Sequence, residues 1–251
     1  AAAGRVRKRF GAVNVLHGVD NDPQIVAQIA AQNPDVILLQ ELKQSRLSLL
    51  QHLMRDYPWQ VSCAGAWACD VAIVSRRRWE TAQAQPVGSA GAKMAWARFG
   101  QEWGGALVAS VHLRWPIFSD QSAQLRGVGE VLASHRGPVV VAGDLNSAAW
   151  SAAVRSFTRQ SQLASAGGFV ATWPRRTSVG GHPCMLCVPQ LQIDHILVNR
   201  QIRVLSVQPG GDVGSDHLPL IAELRAAGRE VIATALTETG RARLRALRSC
   251  A

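Results

Sequence analysis

A carboxylate and a carboxamide follow an apolar run near the middle of the chain, within residues 139–146. The run is typical of a buried strand, and Asp144 and Asn146 come two residues apart at its end. Because successive side chains of a strand alternate between its faces, these two leave the strand end on the same side. Together they could hold a water molecule and a phosphoryl oxygen. An ordinary turn is the alternative, since Gly, Asp and Asn are common turn formers.

Other apolar segments end in residues of the same kind, which favours a shared site over unrelated turns. Glu41 follows residues 36–40, and two later strand ends carry Asp194 and the pair Asp216 and His217. An acid at the end of an apolar strand needs a partner, because an unpaired buried charge is costly. A divalent cation, which prefers oxygen ligands, would be such a partner for Glu41. A helix cap or an arginine is the alternative.

In their order along the chain, these segments resemble the endonuclease/exonuclease/phosphatase family, the deoxyribonuclease I-like metal-dependent phosphoesterases. Each short motif is weak alone, but six of them in order over residues 9–224 are a strong signal. The six are Asn14 in Val-Asn-Val-Leu, Gln40 with Glu41, His112 in Val-His-Leu, Gly-Asp-Leu-Asn at 143–146, Ile-Asp-His-Ile-Leu at 193–197 and Gly-Ser-Asp-His-Leu-Pro at 214–219.

The alternation of predicted helices and strands indicates an α/β sandwich with mixed sheets. The resemblance implies more: a four-layered α/β sandwich of two packed mixed β-sheets flanked by helices, with the site at one end of the sheets. It also implies that Mg²⁺ or Mn²⁺ is held by Glu41, Asn14 and Asp216. The catalytic residues that it implies are Asp144, Asn146, His217, His112 and Asp194.

Each of these residues has a chemical task in water attack on a phosphoester. Asp144 would orient and deprotonate the water, and Asn146 would hold the nucleophile or a phosphoryl oxygen. His217, oriented by Asp194, would stay protonated and meet the charge that develops at phosphorus. His112 would contact the phosphate. A hydrogen-bonded structural histidine is the alternative for both histidines, and His195, adjacent to Asp194, is predicted to face the other way and be structural.

The sequence departs from the family pattern at several positions. Asp70 precedes an Ala-Ile-Val-Ser-Arg segment where the family often has Gly or Asn, and it could orient His112 or be exposed. Val111 replaces the usual Thr before His112. Tyr57, the only tyrosine, is predicted at a helix end, so a tyrosine-assisted mechanism looks unavailable.

The chain is strongly basic, with 27 Lys and Arg against 17 Asp and Glu and a formal charge of +10. This excess favours a polyanionic partner: nucleic acid first, and an anionic membrane surface second. A solvated surface encoded by an Arg-favouring genome is the alternative. The densest clusters are residues 5–9, 76–78 and 175–176, and Arg175, Arg176 and Trp173 are the predicted substrate contacts. Residues 115–118, Trp-Pro-Ile-Phe, could form an apolar loop that contacts a membrane.

The five cysteines leave several states open. Cys184 and Cys187 have the spacing of a metal or redox pair, whereas Cys63 and Cys69 are six residues apart, which does not match a standard zinc knuckle. Disulfides in an exported protein and unpaired buried thiols are both more consistent with this pattern than structural zinc.

The order of predicted elements divides the chain into three parts. A basic segment covers residues 1–8, the phosphoesterase domain covers 9–226, and a C-terminal helix covers 227–251. No apolar run approaches the ~18 residues of a membrane span. The sequence begins at Ala1 without Met, so an export signal or a membrane anchor could precede it, and the compartment stays open.

These features predict a divalent-metal phosphoesterase, with nucleic acid as the first expected substrate. A phospholipid, sphingomyelin or phosphoinositide phosphoester is the alternative within the same chemistry. A non-catalytic module that binds polyanions is the alternative from another class, but it has no use for the set of acids, amides and imidazoles.

Overall fold

Two six-stranded mixed sheets form the centre of the molecule. A computed structural model of the protein describes residues 7–16, 22–65, 69–175, 178–179, 182–183 and 190–227. The first sheet has the order β13-β14-β1-β2-β4-β3 and the second β5-β6-β7-β8-β12-β9. The strands are β1 (Lys8–Asn14), β2 (Val36–Gln40), β3 (Trp59–Ser62), β4 (Ala72–Ser75), β5 (Trp79–Val87), β6 (Ala92–Phe99), β7 (Leu107–His112), β8 (Val139–Asp144), β9 (Leu163–Ser165), β10 (Ser178–Val179), β11 (His182–Pro183), β12 (Asp194–Asn199), β13 (Ile202–Pro209) and β14 (Leu220–Ala226).

The helices cover the outer faces of the two sheets. They are α1 (Asp22–Gln32), α2 (Leu47–Leu53), α3 (Gln121–Ala133) and α4 (Ala152–Gln160). Apolar residues of α1 and α2 pack with β1, β2 and β4, and those of α3 and α4 pack with β6, β7 and β8. A third apolar cluster lies between the sheets. The predicted four-layered sandwich of helices, two packed mixed sheets and helices is therefore confirmed.

Parallel strand pairs bring the predicted site residues to one end of the sandwich. β1 runs parallel to β2 with Asn14 opposite Gln40, and β7 runs parallel to β8 with His112 opposite Asp144. β12 is antiparallel to β8, so Asp194, at the start of β12, also lies opposite Asp144. The carboxyl ends of the central strands and the start of β12 thus share one edge.

Several predictions about secondary structure need correction or lie outside the described residues. Tyr57 does not lie at the end of α2; it follows that helix by four residues, is buried, and donates its hydroxyl hydrogen bond to the carbonyl oxygen of Pro34 at 2.9 Å. Between β9 and β12 the chain forms the short β10–β11 pair and a bridge between Trp173 and Leu191. Outside the described residues lie the cysteines at 184 and 187 and almost all of the predicted helix over 227–251. Cys63 and Cys69 form a disulfide.

None of the described helices has the length and apolar character to cross a membrane.

Gly143 lets the two central strands of the second sheet approach closely just before Asp144. Its φ is +142°, in a region that side chains rarely adopt, and a β-carbon there would collide with the carbonyl oxygen of Val111. The glycine is therefore part of what places Asp144 beside His112.

Replacing Gly143 with alanine is expected to lower the free energy of unfolding by about 3 kcal/mol, because strain and overpacking add at this position. The matched control is Gly168→Ala, since a β-carbon at Gly168 meets nothing within 4 Å. Urea unfolding of both variants measures the difference. Equal stabilities would contradict the assigned role of Gly143.

Candidate active site

A buried carboxylate, Asp144, lies at the centre of the residues that converge on this edge. The residue is 1% exposed. The amide nitrogen of Asn14, from the other sheet, donates to Glu41 Oε1 at 3.2 Å and lies 3.4 Å from Asp144 Oδ2. Burial, with the nearby charge of Asp194 adding to it, raises the pKa of Asp144 to about 6. A carboxylate in this state can accept a proton near neutral pH.

His217 and Asp194 form a buried hydrogen-bonded pair next to Asp144. His217 Nδ1 donates to Asp194 Oδ2 at 2.8 Å, and His217 Nε2 lies 3.9 Å from Asp144 Oδ2. Burial disfavours the charged ring, but the negative charge of Asp194 outweighs it and raises the pKa of His217 to about 10. The ring is therefore a cation that points its second N–H toward Asp144.

His112 is held in a second, similar arrangement by Asp70 and Lys93. His112 Nδ1 donates to Asp70 Oδ1 at 2.9 Å, and His112 Nε2 lies 3.9 Å from Asp144 Oδ2. Lys93 Nζ donates to Asp70 Oδ2 at 2.6 Å and lies 3.4 Å from His112 Nδ1. Burial favours the neutral carboxyl, but the hydrogen bond from His112 and the charges of His112 and Lys93 lower the pKa of Asp70 to about 2.

Two of the predicted residues occupy the left-handed region of backbone conformation. Glu41 has a φ of 59° and Asn146 a φ of 49°. The backbone N–H of Asn146 donates to Asp144 Oδ1 at 2.7 Å, and its side-chain amide donates to the carbonyl oxygen of Leu113 at 2.8 Å. Strained conformations of this kind persist where the surrounding structure fixes them, and they cluster at functional sites.

Trp173 and Arg175 come from the loop that precedes β12. Trp173 Nε1 donates to Asp216 Oδ2 at 3.1 Å, and its ring centroid lies 6.5 Å from that of His217. The guanidinium of Arg175 is paired with Asp212 at 3.0 Å. The structure therefore brings Trp173 to the site but ties Arg175 to an acid, and Arg176 is outside the described residues.

These side chains surround a cavity of about 440 Å³. A larger hollow of about 730 Å³ lies against α3 and α4, but it contains none of the predicted site residues. We therefore place the candidate site in the smaller cavity, which is lined by Glu41, Lys43, Asp70, Lys93, His112, Leu113, Arg114, Trp115, Asp144, Asn146, Trp173, Asp216 and His217.

The donor set fits a hard divalent cation. Ligand atoms of Glu41, His112 and Asp144 lie within 4.8 Å of one another. Asp216 Oδ1 is buried, with no hydrogen-bond partner among the described residues. A buried carboxylate oxygen without a donor is costly, and a cation bound by oxygen ligands would satisfy it.

Comparisons with known proteins identify the family of the chain. The sequence model described as Endonuclease/Exonuclease/phosphatase family matches residues 11–217. The chain belongs to this family. No curated protein sequence matches it.

Solved structures show the same fold at low sequence identity. The chain is similar to an endonuclease/exonuclease/phosphatase from Beutenbergia cavernae, with 21% identity, a TM-score of 0.67, and coverage of 89% of this chain and 72% of that one. It is also similar to the catalytic domain of human nocturnin, with 17% identity, a TM-score of 0.67, and coverage of 89% of this chain and 96% of that one. For sphingomyelinase C from Streptomyces griseocarneus the identity is 17% and the TM-score 0.62, with coverage of 89% of this chain and 100% of that one. Members of the family are hydrolases that act on phosphoesters.

Sequence reasoning missed Lys93 and left Asp70 open between orienting His112 and being exposed. The structure shows the first for Asp70, and the contact depends on the packing of one sheet against the other, because Asp70 precedes β4 and His112 ends β7. Lys93 gave no signal in the sequence. His195 points away from Asp144, and its Nε2 lies 2.7 Å from the carbonyl oxygen of Ser147.

The hydrogen-bonded pair of His217 and Asp194 predicts an unusual titration in protein without bound metal. We expect His217 to stay protonated beyond pH 8, because its pKa is raised from 6.5 to about 10. Since the folded state holds this proton more tightly, the stability it adds is full below about pH 6.5 and is lost as the pH rises toward 10. NMR titration of the ring in the presence of EDTA measures the pKa.

The Asp194→Asn variant should lower the pKa of His217 toward that of an ordinary histidine, whereas the control Asp56→Asn, at an exposed acid outside the cavity, should not. A neutral His217 ring at pH 8 in the unmodified protein would contradict this assignment.

Proposed function

We propose that the protein is a divalent-metal-dependent phosphodiesterase that hydrolyses a P–O bond by in-line attack of water. The observation that supports this most directly is the contact of two buried imidazoles with one buried carboxylate, each imidazole 3.9 Å from Asp144 Oδ2 and each backed by a second acid. A base between two imidazole hydrogen-bond donors suits an anionic reaction centre, because one group removes a proton while the others stabilise charge.

Asp144 would orient the attacking water and take its proton. Its buried carboxylate has a raised pKa, and Asn146 N–H fixes one of its oxygens while the other faces both imidazoles. Asn146, whose amide is anchored on the carbonyl oxygen of Leu113, would hold a phosphoryl oxygen or the nucleophile.

His217 and His112 would donate hydrogen bonds to the phosphoryl oxygens as negative charge develops on them. Asp194 keeps His217 protonated and directs its Nε2 into the cavity. Asp70, which Lys93 holds in place, orients the ring of His112 in the same way. Donors that are oriented before the reaction lower its barrier because they need no reorganisation during it.

Glu41, Asn14 and Asp216 would hold Mg²⁺ or Mn²⁺. When bound, the ion would supply positive charge that offsets the charge of the phosphoryl oxygens. Asn14 would contribute by orienting the carboxylates, since its Nδ2 donates to Glu41 and faces Asp144, while its Oδ1 accepts from the backbone of Leu16 at 3.0 Å.

Nucleic acid is a candidate substrate because the chain has a formal charge of +10 and the cavity is lined by Lys43, Lys93 and Arg114. Described arginines of two of the densest clusters, however, lie at the opposite end of the first sheet. Arg9 is the second residue of β1 and pairs with Glu223, and Arg76 follows β4 and stacks on Tyr57. These arginines therefore do not surround the site, and the charge alone does not select the substrate.

The Asp144→Asn variant tests the proposed chemistry. We expect wild-type protein to hydrolyse bis(p-nitrophenyl) phosphate with Mg²⁺ or Mn²⁺ and to stop when EDTA is added. The variant should lose about 10³-fold in kcat, because it keeps the shape of the side chain but not the base. Asp56→Asn is the control for the loss of one acid. Plasmid DNA, assayed in parallel for nicking, tests the nucleic-acid candidate.

Hydrolysis that survives both EDTA and Asp144→Asn would contradict the proposal. Salt-sensitive DNA binding without hydrolysis of either substrate would favour the non-catalytic binding module instead.

Lys93 gives a second test, as a positioning residue for His112. Replacing it with methionine removes the charge that holds Asp70, so we expect kcat to fall by about 30-fold with little change in KM. Lys93→Arg keeps the charge and should restore part of the rate. The pH profile of kcat should change in the methionine variant but not in the arginine one; a fall in both variants with unchanged profiles would indicate a purely structural role.

A further inference from the structure

Large apolar side chains are exposed mainly around the mouth of the candidate active site. Seven such side chains are exposed among the described residues, and five of them belong to loops at the site end of the sandwich. We call these five the apolar rim: Trp115, Ile117, Trp150, Phe169 and Leu191. The other two are Met54, after the end of α2, and Leu205, on the outer strand β13. Exposed apolar patches of this kind mark interaction surfaces.

Contacts between the loops connect the rim to the cavity. Trp115 lines the cavity and packs edge-to-face on Trp173, with ring centroids 5.6 Å apart. Trp173 forms a bridge with Leu191, and Ile117 lies in the short 3₁₀ turn that follows Trp115.

The remaining two rim residues extend the surface on the side of β8. Trp150 comes from the loop after β8, Phe169 comes from the loop after β9, and their ring centroids are 6.1 Å apart. The N–H of Val170, next to Phe169, donates to the side chain of Gln192, next to Leu191.

The exposure of these side chains is too large to be incidental to packing. Ile117 is 77% exposed, Phe169 60% and Trp150 55%. Burying such groups is favourable in free energy. A surface that holds several of them together near a site would therefore bind an apolar partner favourably.

Cationic side chains lie beside the rim. Lys43 and Arg114 line the cavity and are exposed, and Arg155 is exposed in the first turn of α4, five residues after Trp150. An exposed acid at this end, Asp120, pairs with Arg126 at 3.8 Å. Apolar side chains bordered by Lys and Arg match the interface of a bilayer with anionic headgroups, where tryptophan is also favoured.

From this combination we infer that the apolar rim docks the protein on a phospholipid bilayer and that the phosphodiester cleaved at the site belongs to a lipid headgroup. The inference rests on the phosphodiesterase function proposed above and names its substrate class. Nucleic acid fits the rim less well, because Ile117 and Leu191 offer no ring for stacking and the described arginines Arg9 and Arg76 are at the other end of the first sheet.

Vesicle co-sedimentation of the full chain tests the docking surface. We expect the protein to bind vesicles of phosphatidylcholine with phosphatidylglycerol more tightly than vesicles of phosphatidylcholine alone. Ile117→Asp and Phe169→Asp should each weaken binding roughly tenfold, because each places a charge where the bilayer would otherwise bury an apolar side chain. The controls Met54→Asp and Leu205→Asp change exposed apolar residues outside the rim, with exposures of 48% and 42%, and should bind as wild type does. Circular dichroism and thermal unfolding check that all four variants fold.

Absence of vesicle binding by the wild type, or equal losses in rim and control variants, would overturn the inference. So would a rim that is needed for binding a single-stranded oligonucleotide but not vesicles. Hydrolysis of the soluble diester bis(p-nitrophenyl) phosphate by the wild type, measured in parallel, separates failure of the docking inference from failure of the proposed function. If that activity is present while vesicle binding is absent, only the docking inference fails; if that activity is absent as well, the proposed function fails with it.

Hydrolysis of the headgroup itself completes the test. Wild-type protein with Mg²⁺ should release a water-soluble product from vesicles that contain sphingomyelin or phosphatidylglycerol, and Ile117→Asp should lower this release about as much as it lowers binding. A rate on vesicles that does not follow binding would contradict the claim that the rim presents the substrate.

Discussion

The fold must keep several carboxyl groups close together in a buried place, and the rest of the site follows from how it does so. Asp144, Asp194 and Asp70 are all nearly inaccessible to water. Like charges at short range in a low dielectric repel strongly, so each acid needs a compensating cation or donor. His217 donates a hydrogen bond to Asp194, and Lys93 and His112 donate to Asp70. Asp144 lies between the two compensated pairs and keeps the raised pKa that a base requires.

Neither sheet could build this arrangement alone. Each sheet has a parallel strand pair at its centre, and the carboxyl ends of both pairs meet at one edge. Gln40 of the first sheet donates to the hydroxyl of Ser110 of the second at 2.8 Å, and Asn14 reaches across to Asp144. These bonds fix the register of one sheet against the other directly below the cavity. The distances at Asp144 therefore depend on sheet packing as well as on the local turns.

The strand-end residues could be predicted from the sequence because their signal is local. An apolar run followed by an acid identifies Glu41 and Asp144, and motif order adds the histidines. Asp70 and Lys93 could not be assigned in this way. Lys93 lies opposite His112 because β6 pairs with β7. Asp70 reaches both side chains because the first sheet, in which it precedes β4, packs against the second. Both are long-range properties. The charge count is limited for the same reason: it gives the number of arginines but not their positions, and Arg76, Arg78 and Arg9 stack on aromatic rings or pair with an acid away from the site.

The position of the apolar rim bears on the chemistry as well as on recognition. The buried pairs around Asp144 act most strongly where water is excluded, since electrostatic interactions weaken as the local dielectric rises. The cavity is open at its mouth, and the side chains there are Trp115 and Trp173 together with Lys43 and Arg114. A partner that covers these rings would remove water from the mouth while its anionic groups meet the cations. Binding at the rim would then strengthen the same interactions that stabilise charge at phosphorus, so recognition and catalysis would share one source of free energy.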